Sequence, residues 1–345
     1  MKKLTLAICI SFFLTETNTT MRSIHQYHGL YATQEVDQLL KNNSCPNCSL
    51  IGHEFVNVDL TKVNLRNALL NHVDLTLATL DHANMEGVQL SNSRLVYTSL
   101  VQTNLFKASF VQANFDYAIL IKANLKESTG IFASFMETLA TDTDFSYAKL
   151  SSCNFQNANI NLSNFSHADL QESNMSWISA GDVKFNYADL SYVKLFKSIL
   201  RYSHFNNAKL SYCNFSQADT HKTDFSNSQL EHAHFIKTSA TMANFSNADM
   251  QHAQCIKTDM RDANFTNAKL DHANFSGAIL LNAKNFNPDA PGLILCKTVM
   301  PDGTIANRNC DIALVDPVKL AEPERNPIKL AEPESEASLK TSVSA

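Results

Sequence analysis

The side chains with most chemistry to offer are eight cysteines and twelve histidines. Cys45-Pro46-Asn47-Cys48 has the C-x-x-C spacing of redox and zinc sites. A redox centre of that kind sits on a βαβ pattern, and a zinc site needs a second ligand pair nearby. Neither accompanies it, so the pair is expected to cap an element, oxidised or reduced. Cys296 and Cys310 bracket the turn signal Pro301-Asp302-Gly303, and in an exported protein they are expected to form a disulfide. His232, His252 and His272 recur at intervals of twenty, continuing a series begun by Tyr192 and Tyr212. They are the metal candidates, but a flat wall does not gather a third and fourth ligand, so solvated stacking is expected. Trp177, Lys197, Lys237 and Lys257 share another such series, with Arg201, Lys222 and Arg261 nearby and Asp219 and Asp259 between. That line is a candidate binding surface for an acidic partner or an anionic surface. Catalytic residues are not expected: there is no Gly-rich phosphate loop, metalloprotease helix or nucleophile elbow, and no cofactor is implied.

What positions these residues is a period of five, which fits neither a helix near 3.6 nor a strand at 2. From Leu50 to Leu280, 41 of 47 positions five apart are Leu, Phe, Met or Ile. The exceptions are Gly130, Ala140, Ala180, Thr220, Ala240 and Cys255. Two residues before each of these centres stands Ala, Val, Ser, Thr or Cys, with only His53 and Ile178 breaking the rule. Each unit therefore has one large and one small inward place and three outward ones. Cys153 and Cys213 fall in small places and Cys255 in a large one, so all three are expected to fill the core.

A second period decides the architecture. Phe145, Phe165, Phe185, Phe205, Phe225, Phe245 and Phe265 form an unbroken row at intervals of twenty. Four fives per twenty mean four walls per coil, with like stacked on like as in parallel ladders. The chain is expected to be an all-β solenoid of about twelve coils, ~55–60 Å long at ~4.8 Å per coil. Ile178 beside Ala180 is expected to fill the room that the small centre leaves. The polar row Asn207, Asn227, Asn247 and Asn267 is expected to form an amide ladder.

Units such as Ala243-Asn244-Phe245, Ala168-Asp169-Leu170 and Ala268-Lys269-Leu270 resemble the pentapeptide-repeat motif [STAV]-[DN]-[LF]-[STR]-x, the last departing at its middle residue. The resemblance covers about 235 residues and implies a right-handed quadrilateral β-helix. It extends to the stretches SCPNCSL and LCKTVMPDGTIANRNC, which look like the flanks of many family members.

The domain organisation follows. Lys2 and Lys3 precede an apolar run, Leu4–Leu14, too short to cross a bilayer but suited to a signal peptide at 1–22. Residues 23–49 hold an N-terminal helix over 33–41, capped by Thr33, and a cap. Residues 50–284 form the repeats, 285–310 a C-terminal cap that leaves the register, and 311–345 a disordered tail with a duplication, PVKLAEPE and PIKLAEPE.

Charge limits the function classes. The repeats carry 18 basic and 21 acidic residues, too balanced to grip nucleic acid through its phosphates. The expected function is a noncatalytic rod, exported to the periplasm or medium of a bacterium and monomeric, that serves as scaffold or interaction surface for a protein or envelope component. Membrane attachment is expected only if the N-terminal segment stays uncleaved. The family resemblance implies an alternative: some members bind topoisomerases by imitating duplex DNA. Near-neutral coils and a secretory start speak against it. A metal-binding protein or a secreted effector are the remaining alternatives.

Overall fold

The computed structural model describes residues 34–311. The expected signal peptide, Thr33 and the tail from 312 onward lie outside the described residues.

Each unit is a turn followed by a single bridging residue. The carbonyl of a centre accepts from the amide three residues on, as Leu60 O does from Val63 N at 3.0 Å. The second residue after the centre has positive φ, 60° at Lys62, which marks a type II turn. This holds at every such place from Asn47 to Asn282, and only Gly52, Gly87 and Gly277 are glycines. A left-handed residue other than glycine costs about 1–2 kcal/mol. The neighbouring coil holds it there: its N–H donates to a carbonyl nineteen residues on, Lys62 N to Asp81 O at 2.8 Å.

The residue before each centre pairs in parallel with its counterpart one coil away, Asn64 with Asn84 and Asn84 with Asn104. Leu65 N donates to Asn84 O and Asn84 N to Val63 O, each at 2.8 Å. Bridges run from Ser44–Asn64 to Ile279–Val299, building a four-sided rod of about thirteen coils, ~60 Å long. One amide per unit is left over, that of the residue after the centre. Asn or Asp before the centre supplies its acceptor: Thr61 N donates to Asp59 Oδ1 at 2.9 Å, Asp116 N to Asn114 Oδ1 at 2.7 Å. The polar middle of the motif is thus a backbone requirement.

Inside, Phe205 and Phe225 stack with ring centroids 5.2 Å apart, and Ala208 is fully buried. The whole row from Phe145 to Phe265 stacks in this way, and rings on neighbouring walls meet edge to face, as Phe145 meets Phe155 at 86°. Most hydroxyls in small places donate to the centre carbonyl of the preceding coil, as Thr98 Oγ1 does to Leu75 O at 2.7 Å. Ile178 and Ala180 are both buried. At Gly130 the missing side chain is replaced by the ring of Phe110, which lies where a Cβ would stand.

Both ends differ from the sequence expectation. Helix α1 (Gln34–Asn42) lays Leu39 on the core, and Ser49 N donates to Glu35 Oε1 at 3.3 Å. The coil register begins at Ser44 rather than Leu50: Cys45 takes a large place and Cys48 a small one, joined as a disulfide inside the first unit. At the other end the register is left only briefly. Asn285 stands where a large apolar centre is due, and Phe286 turns in instead, against Phe265 and Phe275. The chain then resumes stacking, Ile294 over Asn274 and Val299 over Ile279. The Asn, Pro and Gly of 285–292 obscured this return in the sequence.

Strand β1 (Leu295–Val299) pairs antiparallel with β2 (Ile305–Arg308), which lies across the last coil and covers its open edge. The turn between them places Gly303 at φ 85° and lets Asp302 Oδ1 accept from Thr304 N at 2.9 Å. Cys296 and Cys310 are joined, pinning the end of the cap to β1. Their sequence separation is 14, for which loop closure contributes about 3 kcal/mol. Cys310→Ser should therefore loosen the cap by about 2–3 kcal/mol, seen as faster amide exchange across β2 with exchange at Phe205 unchanged.

Candidate interaction surface

Side chains at the positive-φ places project from the four corners, so residues twenty apart line up along each corner. On one corner Tyr192, Tyr212, His232, His252 and His272 form a single column, with neighbouring rings 4.6–5.0 Å apart and within 5° of parallel. The column ends over Gly292, whose bare Cα leaves room for the His272 ring. Imidazole lone pairs lie in the ring plane, so rings stacked face to face direct them side by side, not toward one ion. Among the described residues no group of three or more His, Cys, Asp or Glu side chains is placed to hold a metal. The metal candidates His232, His252 and His272 are thus stacked rings.

The cysteines give a similar answer. Cys153 and Cys213 reach the carbonyls of Gly130 and Leu190 one coil back, at 2.9 and 2.8 Å. Burial pushes the Cys153 thiol up to about 12 and also raises Cys213 and Cys255, so none supplies a thiolate near neutral pH.

Some of the charge along the walls is neutralised pairwise. Lys209 meets Asp189 at 3.1 Å and Lys269 meets Asp249 at 2.8 Å. The expected amide ladder is longer on a row that sequence reasoning passed over. Asn124 donates to Asn104, Asn104 to Asn84 and Asn264 to Asn244, all before centres. On the row from Asn207 to Asn267, Asn267 Nδ2 donates to Asn247 Oδ1 at 3.2 Å.

Acid should weaken the rod in two stages. Burial holds the His234 imidazole below its ordinary 6.5, and nearby His232 adds to this. Its stabilising share is complete above about pH 6.5 and is lost as pH falls through the depressed folded value. Burial pushes Asp249 and Asp259 up, but hydrogen bonds from Lys269 and Gln251, and from Arg261, outweigh it and hold both below 3.8. Their share is complete above about pH 3.8 and is lost as pH falls through the depressed folded values. Denaturation midpoints against pH should show both steps, with His234→Gln removing the upper one and Lys269→Gln shrinking the lower.

The corner through Trp177 and Lys257 holds the candidate binding residues. Lys197 Nζ stands 4.4 Å from the Trp177 ring and 5.0 Å from that of Phe196. Asp219 and Asp259, which lie between the basic residues in sequence, are taken up by Arg201 and Arg261 at 2.6 Å each. Lys197, Lys237 and Lys257 then reach no carboxylate among the described residues. Beside them, at a place that is polar in most units, stand Phe196, Ile236 and Ile256, each more than 90% buried although on the outside of the tube. Sequence reasoning missed these three; the signal was an apolar series at a place that is polar in most units. The same row carries the buried hydroxyls of Ser176 and Ser216, neither with a hydrogen-bond partner.

The family model for pentapeptide repeats matches eight copies, over residues 47–76, 59–95, 93–129, 141–176, 188–227, 228–267 and 243–280. The chain belongs to the pentapeptide-repeat family. Its coil is accordingly the right-handed quadrilateral β-helix, and the molecule is a repeat scaffold. No curated protein matches this pentapeptide-repeat chain. Among solved structures it is similar to HetL, a pentapeptide repeat protein involved in heterocyst differentiation regulation from the cyanobacterium Nostoc. Identity is 23%, coverage 79% of this chain and 99% of that one, and the TM-score 0.36. A pentapeptide repeat protein of the Arabidopsis thaliana thylakoid lumen is 21% identical over 32% of this chain and 68% of its own, with TM-score 0.20. QnrB1, a plasmid-mediated fluoroquinolone resistance protein, is 15% identical over 77% and 96%, with TM-score 0.19.

Proposed function

We propose that this pentapeptide-repeat protein is an exported, noncatalytic rod that presents its walls to a protein or cell-envelope component of a bacterium. The observation that carries the reading is the placement of its cysteines. Disulfides close both ends of the coil, Cys45–Cys48 and Cys296–Cys310, while the free thiols among the described residues, Cys153, Cys213 and Cys255, are buried inside. Disulfides persist in secreted and periplasmic proteins and are rare in the cytosol. Lys2-Lys3 followed by Leu4–Leu14 supplies a matching export signal.

The rod's uniform walls support the noncatalytic part. Catalytic groups converge from loops on a scaffold, and the repeats run from Ser44 to Lys284 in unbroken register with no inserted loop. Helix α1 and strand β2 cover the two ends, which favours a monomer over end-to-end stacking. Cell fractionation with intact-mass measurement tests the reading. The expected species is periplasmic or secreted, shortened by about 22 residues, with two disulfides and monomeric mass by light scattering. A full-length, cytoplasmic, fully reduced chain would overturn it.

A further inference from the structure

The chain leaves the rod beside the corner of Lys197, Lys237 and Lys257, none of which meets a carboxylate among the described residues. Cys310 is bonded to Cys296, and Gly277 N donates to Cys296 O at 2.8 Å, so Cys296 sits one coil above Ser276-Gly277. One coil further down lie Ile256 and Lys257, then Ile236 and Lys237, and two coils below them Phe196 and Lys197. Residues 312–345, which follow directly, carry six carboxylates and four basic side chains: Asp316, Glu322, Glu324, Glu332, Glu334 and Glu336 against Lys319, Arg325, Lys329 and Lys340. We propose that this C-terminal segment docks back along the corner formed by Trp177, Lys197, Lys237 and Lys257.

Reach, pattern and charge all agree. The coil of Lys257 lies ~10 Å below that of Cys296, and the coil of Lys197 ~24 Å below. The twelve residues from Cys310 to Glu322 span up to ~40 Å, so the first duplicated unit reaches any of these coils with slack. In an extended chain alternate side chains share a face. That puts Val318, Leu320, Glu322 and Glu324 on one side, and Ile328, Leu330, Glu332 and Glu334 on the same side of the second unit. Each unit thus offers two apolar side chains and then two carboxylates. The corner answers with the half-exposed ring of Trp177 and with ammonium groups that meet no carboxylate among the described residues. The duplication gives the corner two equivalent ligands, and an acidic partner for it must compete with the chain's own tail.

Zero-length carbodiimide cross-linking of the oxidised full chain, at high dilution and low ionic strength, tests the proposal. Lys209–Asp189 and Lys269–Asp249 are in contact within the rod and serve as internal controls. The expected result is that Lys197, Lys237 or Lys257 links within one molecule to Glu322, Glu324, Glu332 or Glu334. These links should fall away in 1 M salt, where screening acts over ~3 Å. They should also be lost in the variant Lys197→Gln/Lys237→Gln/Lys257→Gln while the control links persist. Tail glutamates linking as often to Lys62, Lys122 and Lys149, or to no lysine while the controls react, would overturn it. So would corner links found only in cross-linked dimers, which would assign the corner to a second copy.

Discussion

Phe205→Ala is expected to destabilise the rod by about 3–5 kcal/mol, the range for emptying a buried aromatic site. Phe205 is fully buried, with Phe185 stacked 4.7 Å away on one face, Phe225 5.2 Å on the other, and Phe215 edge-on at 5.9 Å. Its loss removes three ring contacts as well as its transfer free energy. Bonded coils above and below hold the walls apart, so the site cannot collapse. In a stacked array the damage should be local at first, because each coil touches only its neighbours. Amide exchange should accelerate around coils 185–225 while Leu75 and Leu80 stay protected. Tyr192→Ala provides the contrast: the same kind of stack, but on an exposed corner, where a loss below about 1 kcal/mol is expected. Equal losses at the two sites, measured by chemical denaturation, would mean that the internal column does not carry the stability.

Much of this architecture is legible in the sequence because the coil repeats every twenty residues. Each wall samples the same environment about thirteen times, so a five-residue period in Leu and Phe exposes the inside without any knowledge of turns. Legibility falls where the period is broken or where an outward place departs from its usual polarity. The first unit was hidden because Cys45 and Cys48 read as a C-x-x-C motif before they read as a large and a small inward residue. The last coil was hidden by the excursion through Asn285 and Phe286. The corner of Phe196, Ile236 and Ile256 was hidden for another reason: rows of charge were followed along the neighbouring place, where Lys197, Lys237 and Lys257 stand. In sequence order Asp219 and Asp259 stand between those lysines, where they would neutralise them. Only coordinates show that Arg201 and Arg261 already hold them. Sequence order gives which side chains share a row, whereas pairing depends on where long flexible arms settle.

The sharpest disagreement between motif and structure is at Gly130. On the motif alone, Gly130→Leu should stabilise, since it restores a large centre at the one glycine among 47 such positions. The structure requires the opposite. A Cβ built on Gly130 would stand 2.8 Å from Phe110 Cζ and closer still to Cδ2 and Cε2, so the ring one coil below already fills the site. Phe110 cannot withdraw easily, because Phe115 packs edge-on at 5.2 Å and Phe135 at 5.8 Å. Gly130→Ala is therefore expected to cost about 1–3 kcal/mol, the usual penalty of overpacking, and Gly130→Leu more than that. Gly130 does not have positive φ, so no strain in the backbone competes with this explanation. A double-mutant cycle separates the two accounts. If the clash is the cause, Gly130→Ala in a Phe110→Leu background should cost clearly less than in the parent, with a coupling of at least about 1 kcal/mol. If Gly130→Leu raises the denaturation midpoint, the ring of Phe110 does not occupy that space, and the repeat motif is the better guide to this coil.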